Sequence, residues 1–177
     1  MRILDAVATS SAQQKALRAV ALAAPLAFLV LVPLAGGVYH PVFTAVGVGL
    51  ALVVALFPES HAPLGAVLYL ALLWTVSLPD AINGWTLVAA ADLLVMHLAC
   101  TLLSYGPPGL ILDRVLLALW RGRAVLCLAG AVLVWLVAVA VRLLDLPRSA
   151  TGVGLALLLL LGWVTVLSLR LWTPRDD

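Results

Sequence analysis

Between Arg18 and Arg114 the chain carries no lysine or arginine, and its only acids there are Glu59, Asp80, Asp92 and Asp113. A stretch so poor in charge cannot cover a water-soluble core with polar surface. It is divided by YH, PESH and PDAING into apolar lengths of about 17–20 residues, the length a helix needs to cross a hydrocarbon layer of about 30 Å. The whole chain follows suit: 65% of its residues are hydrophobic, 10% are charged, and its mean hydropathy is +1.20. These values lie outside the range of soluble globular domains. The expected fold class is all-α, a polytopic integral membrane protein.

Six segments have the length and composition of spans: 19–38, 41–57, 62–78, 85–104, 124–144 and 151–172. The second and third are short, so each either crosses fully or forms a re-entrant hairpin with its neighbour. A hairpin would put the PESH turn at membrane depth, where unsatisfied backbone costs several kcal/mol, and full crossing is the expectation. The first apolar run exceeds the roughly 7–15 residues of a signal-peptide core, so it reads as an uncleaved span. Residues 1–15 read as a cytoplasmic lead and residues 16–177 as one helical membrane domain.

Orientation follows from the lysines and arginines of the short loops. With the N-terminus inside, Arg2, Lys15, Arg18, Arg114, Arg121, Arg123, Arg170 and Arg175 are cytoplasmic, against Arg142 and Arg148 outside. Both termini are therefore expected in the cytoplasm, in a multi-pass protein of the cell membrane. The stretch GLILDRVLLALWRGR at 109–123 places its aliphatic residues mostly along one helical face. It predicts an amphipathic helix in the cytoplasmic interface, with Trp120 and the arginines at headgroup level. Arg114, Trp120, Arg121 and Arg123 are also the candidate surface for a cytoplasmic partner.

GVGLAL occurs at 47–52 and again at 152–157. The copies fall in the second and sixth spans, which a three-plus-three duplication would not pair. Gly47, Gly49, Gly152 and Gly154 read instead as sites where helix backbones approach closely.

Asp92 is the only acid inside a span, so it must face protein or water, be protonated, or be paired. His97 lies about 140° around the same helix, and the two do not form a dyad. His97 does align with Cys100, Thr101 and Ser104 as a polar stripe. Arg142, just within the outer end of the fifth span, is the candidate ion-pair partner of Asp92, with Asp145 as its local rival. Pro25 and Pro33 read as kinks in the first span. Asp80 or Asn83 is placed to cap the fourth helix, and the PESHAP segment reads as a turn that brings Glu59 and His61 together.

No nucleophile motif, paired-aspartate motif, metal-binding HExxH helix or phosphate loop occurs, so no catalytic residues, metal or cofactor are assigned. Cys100 and Cys127 lack metal-ligand spacing and read as inert thiols. The bases form no nucleic-acid stripe. FPESHAPLG at 57–65, GPP at 106–108 and WRGR at 120–123, in an Ala/Val/Leu-rich chain, resemble small polytopic membrane proteins of high-G+C actinobacteria. Some of these are encoded beside MoxR-type AAA ATPases. The resemblance implies an accessory subunit with no catalytic residues.

Two functions are expected to compete. One is a non-catalytic scaffold or accessory subunit whose partners are the lipid bilayer and other membrane or membrane-associated proteins. The other is a small proton- or cation-coupled transporter built on Asp92.

Overall fold

A computed structural model describes residues 11–80, 82–105 and 112–143, with residues 162, 163 and 166. Among the described residues the secondary structure is helical, with no strand. The helices are α1 (Ala12–Leu34), α2 (Pro41–Leu56), α3 (Ala62–Ser77), α4 (Trp85–Leu103) and α5 (Arg114–Leu143).

Local chemistry sets their ends. Ser11 caps α1 by accepting from the Gln14 N–H at 3.3 Å. That helix stops where Gly36 takes φ 85°, a left-handed conformation that glycine adopts without steric cost, and its N–H bonds back to the Pro33 carbonyl at 3.0 Å. Prolines in the first turn start α2 and α3, where the missing N–H would have had no intrahelical partner. Asn83 accepts from the Thr86 N–H at 3.2 Å at the start of α4. Asp80 instead holds the preceding turn, accepting from the Ile82 N–H at 3.1 Å.

The chain divides into two units, residues 1–121 and 122–177, with the boundary inside α5. In the first unit α1 is central. It packs most extensively against α4, then α2, and α3 touches all three of the others. Small residues carry these approaches: Ala21, Ala24, Ala51, Ala66, Ala89 and Ala99 are all buried. Gly47 of α2 lies so close to α1 that a Cβ there would sit 2.8 Å from Leu29. Gly49 faces open space. Phe28 and Trp74 meet edge to face in this core, with centroids 5.6 Å apart.

The outer surface is more apolar than water would tolerate. Leu64, Leu68, Leu72 and Val76 form an i, i+4 stripe along α3, each at least 60% exposed. Such a surface suits lipid. The helices α1, α4 and α5 are long and apolar enough to cross a membrane, whereas α2 and α3 are shorter apolar helices. At 16 residues each, α2 and α3 measure about 24 Å.

The expected bounds of the second, third and fourth spans agree with α2, α3 and α4 to within one residue. Two expectations are corrected. The first span, expected over 19–38, falls on a helix that runs Ala12–Leu34: it starts earlier because Ser11 caps it and the aliphatic stems of Lys15 and Arg18 are compatible with a helix, and it ends earlier at the left-handed Gly36. The separate interfacial helix over 109–123 and the span from 124 are replaced, from Arg114 onward, by one uninterrupted helix. Its only helix-weakening residue near the expected break is Gly122, which costs about 1 kcal/mol relative to alanine, too little to stop a helix growing from both sides.

In the second unit Gly130 is the one residue of α5 that is buried, and a Cβ there would meet the Trp163 indole nitrogen at 2.5 Å. Gly162, Trp163 and Val166 are helical. The remainder of the expected sixth span, with Gly152 and Gly154, lies outside the described residues, as do residues 1–10 and 109–111.

Candidate functional site

Because α1 to α4 alternate in direction, one end of the first unit collects the start of α1, the end of α2, the start of α3 and the end of α4. Three long-range contacts join these parts. Arg18 donates from Nη1 to the Ala55 carbonyl in the last turn of α2, at 3.1 Å. Gln13 Oε1 accepts from the Leu112 N–H at 2.9 Å, tying the approach to α5 to the start of α1. The ring of Tyr105 meets that of Trp120 edge-on at 5.9 Å.

A cleft of about 220 Å³ opens at this end. One wall is the turn Pro58-Glu59-Ser60-His61, continuing into Pro63 and Leu64. The other is the polar stripe of α4: His97, Cys100, Thr101 and Ser104. The turn is held by Ser60, whose N–H and hydroxyl both donate to the Phe57 carbonyl, at 3.1 and 2.7 Å. Its hydroxyl oxygen in turn accepts from the Ala62 N–H at 3.1 Å. On the opposite wall Thr101 donates its hydroxyl to the His97 carbonyl and Ser104 to the Thr101 carbonyl, both at 2.8 Å. Cys100, in this wall, is a buried free thiol, and His97 is exposed.

The sequence shows both walls but not their meeting. The PESH turn reads there as a connector and the His97 stripe as a helix-packing surface. The available signal was parity: under alternating helices the turn after α2 and the last turn of α4 fall at the same end. Among the described residues no three histidines, cysteines or acids converge on one point as a metal ion would require.

Asp92 stands apart from this cleft. It lies on the inward face of α4, one turn from Ala89 and one turn from Met96, both buried. Its Oδ2 is buried and has no hydrogen-bond partner. Met96 is fully buried and sits one turn from Asp92 and one turn from Cys100, so an apolar side chain separates the carboxyl from the polar end. His97 and Asp92 are not brought together.

The other candidates lie on α5. Arg114 and Arg121 are exposed on its early turns, and Trp120 is half-buried against Tyr105. Arg123 is half-buried at the start of the second unit, and Arg142 occupies the last turn of α5. The pair expected between Asp92 and Arg142 would join residues of the two different units. No family model, curated protein or solved structure matches the chain.

Proposed function

We propose that this chain is a non-catalytic integral membrane protein of the cell membrane, with six spans and both termini cytoplasmic, serving as a scaffold or accessory subunit of a membrane complex. The observation that carries this reading over a transporter is the separation of Asp92 from the polar cleft by the fully buried Met96. A carrier built on Asp92 needs several polar groups converging on it and a wet route to an aqueous face. The apolar exterior of α3 and α5 supports a body that displays its surface to lipid and to neighbouring helices. Arg114 and Arg121, seven residues apart on one side of α5 and exposed, offer a basic surface to cytoplasmic partners. The test is mass spectrometry of what co-purifies with the tagged chain extracted from its native membrane under mild conditions. A stoichiometric partner is expected; recovery only as a monomer or homo-oligomer overturns the subunit reading.

One observation favours the second reading, a small proton- or cation-coupled transporter. The Asp92 Oδ2 is buried without a partner, and α1, which packs against α4, contains the fully buried Pro25, which leaves the Ala21 carbonyl without its intrahelical donor. Proton flux in vesicles that is lost in Asp92→Asn would establish it.

A further inference from the structure

We propose that the cleft between the Pro58–His61 turn and the last turns of α4 binds a primary ammonium group, the headgroup of an ethanolamine phospholipid in the surrounding leaflet. The inference goes beyond the subunit reading but rests on its placement of the chain in a bilayer, with this end of the first unit at headgroup level.

The polarity of the lining selects the ligand. It contains no lysine or arginine, and Glu59 is its only carboxylate. The hydrogens of all three lining hydroxyls are committed to backbone carbonyls, so Ser60, Thr101 and Ser104 offer lone pairs to a guest. The end of α4 adds the negative pole of a helix. The facing start of α3 offers little to an anion. Its Ala62 N–H is taken by Ser60, Pro63 has none, and the Gly65 N–H bonds to the His61 carbonyl at 3.1 Å, so of residues 62–65 Leu64 alone has an N–H left to offer. A guest that donates hydrogen bonds and carries positive charge therefore fits, whereas a phosphate finds no lysine or arginine to bind.

Size and dispersal of the acceptors narrow the class further. The acceptors surround a cleft of about 220 Å³ without gathering three ligands for a metal ion. A tetrahedral R–NH₃⁺ presents three N–H donors in different directions and can be met by a carboxylate, a hydroxyl and an imidazole on separate walls. A quaternary choline group of similar bulk has no N–H to give.

The test is native mass spectrometry of the purified full chain in mild detergent, titrated with phosphatidylethanolamine, phosphatidylcholine or phosphatidylglycerol of identical acyl chains. The expected result is retention of the ethanolamine lipid about tenfold above the other two, a difference of about 1.4 kcal/mol. Glu59→Gln and Thr101→Val should each remove most of that preference, while Asp80→Asn, at the opposite end of the first unit, should leave it intact. Circular dichroism and size-exclusion profiles identify any variant that has lost its fold. Free ethanolamine supplies the second arm. Its displacement of bound ethanolamine lipid supports the proposal, whereas binding of free ethanolamine without any lipid preference overturns the lipid source. Equal retention of the three lipids, or a preference that survives both cleft substitutions, overturns the site. Failure of the chain to associate with bilayers on reconstitution would instead overturn the membrane placement.

Discussion

Arg18 reaches from the second turn of α1 to the carbonyl oxygen of Ala55 in the last turn of α2, a hydrogen bond of 3.1 Å across 37 residues. The carbonyls of a helix's last turn have no intrahelical donor, and a cation beside them also meets the negative pole of the helix. Arg18→Leu should lower stability in detergent by about 1.5–3 kcal/mol, the range for a hydrogen bond to a charged group. Arg18→Lys should recover part of the loss. Thermal unfolding of the two variants measures this.

Gly47 and Gly49 give a paired test of helix contact. A Cβ at Gly47 meets Leu29 at 2.8 Å, and one at Gly49 meets nothing within 4 Å. Gly47→Ala should destabilise by about 1–3 kcal/mol through overpacking. Gly49→Ala should be neutral or mildly stabilising, because alanine is the better helix former. Adding Leu29→Ala should erase much of the Gly47→Ala penalty in a double-mutant cycle, since the added methyl would occupy space that Leu29 vacates.

Gly122 and Gly130 test whether α5 is one helix. Gly122 has open space around its missing Cβ, whereas Gly130 lies against the Trp163 ring. Gly122→Ala should stabilise by up to about 1 kcal/mol. Gly130→Ala should destabilise. Gly122→Pro should cost about 3 kcal/mol or more, which it would not do in a connecting loop. Helical content by circular dichroism accompanies the stability measurement.

Asp92 separates the two functional readings. As a structural residue with a buried, unpartnered oxygen, it should be replaceable by leucine with stability unchanged or raised by about 1–3 kcal/mol, the desolvation penalty of such a group. Proton leak in vesicles should then be the same for the wild type and Asp92→Asn. A flux that disappears in Asp92→Asn would favour the carrier.

Alternation of α1 to α4 makes a prediction about sides. In a background of Cys100→Ala and Cys127→Ser, a cysteine at Ser60 and one at Ile82 should react with an impermeant thiol reagent from opposite faces of the membrane. Both positions are exposed. Labelling of both from one face would defeat the expectation that α3 crosses.

What the sequence makes legible follows from where its polar punctuation lies. The bounds of α2, α3 and α4 can be read within a residue because proline, glycine, asparagine and aspartate stand at each break and decide helix ends locally. The start of α1 is misplaced because Lys15 and Arg18 depress hydropathy without opposing a helix. Arg121 and Arg123 make the first turns of α5 look like a separate interfacial helix, because charge at headgroup level and charge at the start of a longer helix read alike. The cleft was half legible: Glu59 and His61 in one segment and His97 to Ser104 in another carried the right chemistry. Their apposition depends on how α1 holds α4 beside the α2–α3 connection, and that is decided by alanines and Gly47, which look alike wherever they occur in such a chain.

The length of α5 has a consequence for any bilayer that it crosses. Its 30 residues measure about 45 Å, and the part from Ala124 to Leu143, whose one charged residue is Arg142 in the last turn, measures about 30 Å, the thickness of a hydrocarbon layer. Tilt alone cannot hide the remainder, since fitting 45 Å into 30 Å demands an angle near 48°, beyond the 0–40° that spanning helices adopt. Part of a helix of that length therefore extends past the hydrocarbon wherever the rest of it spans.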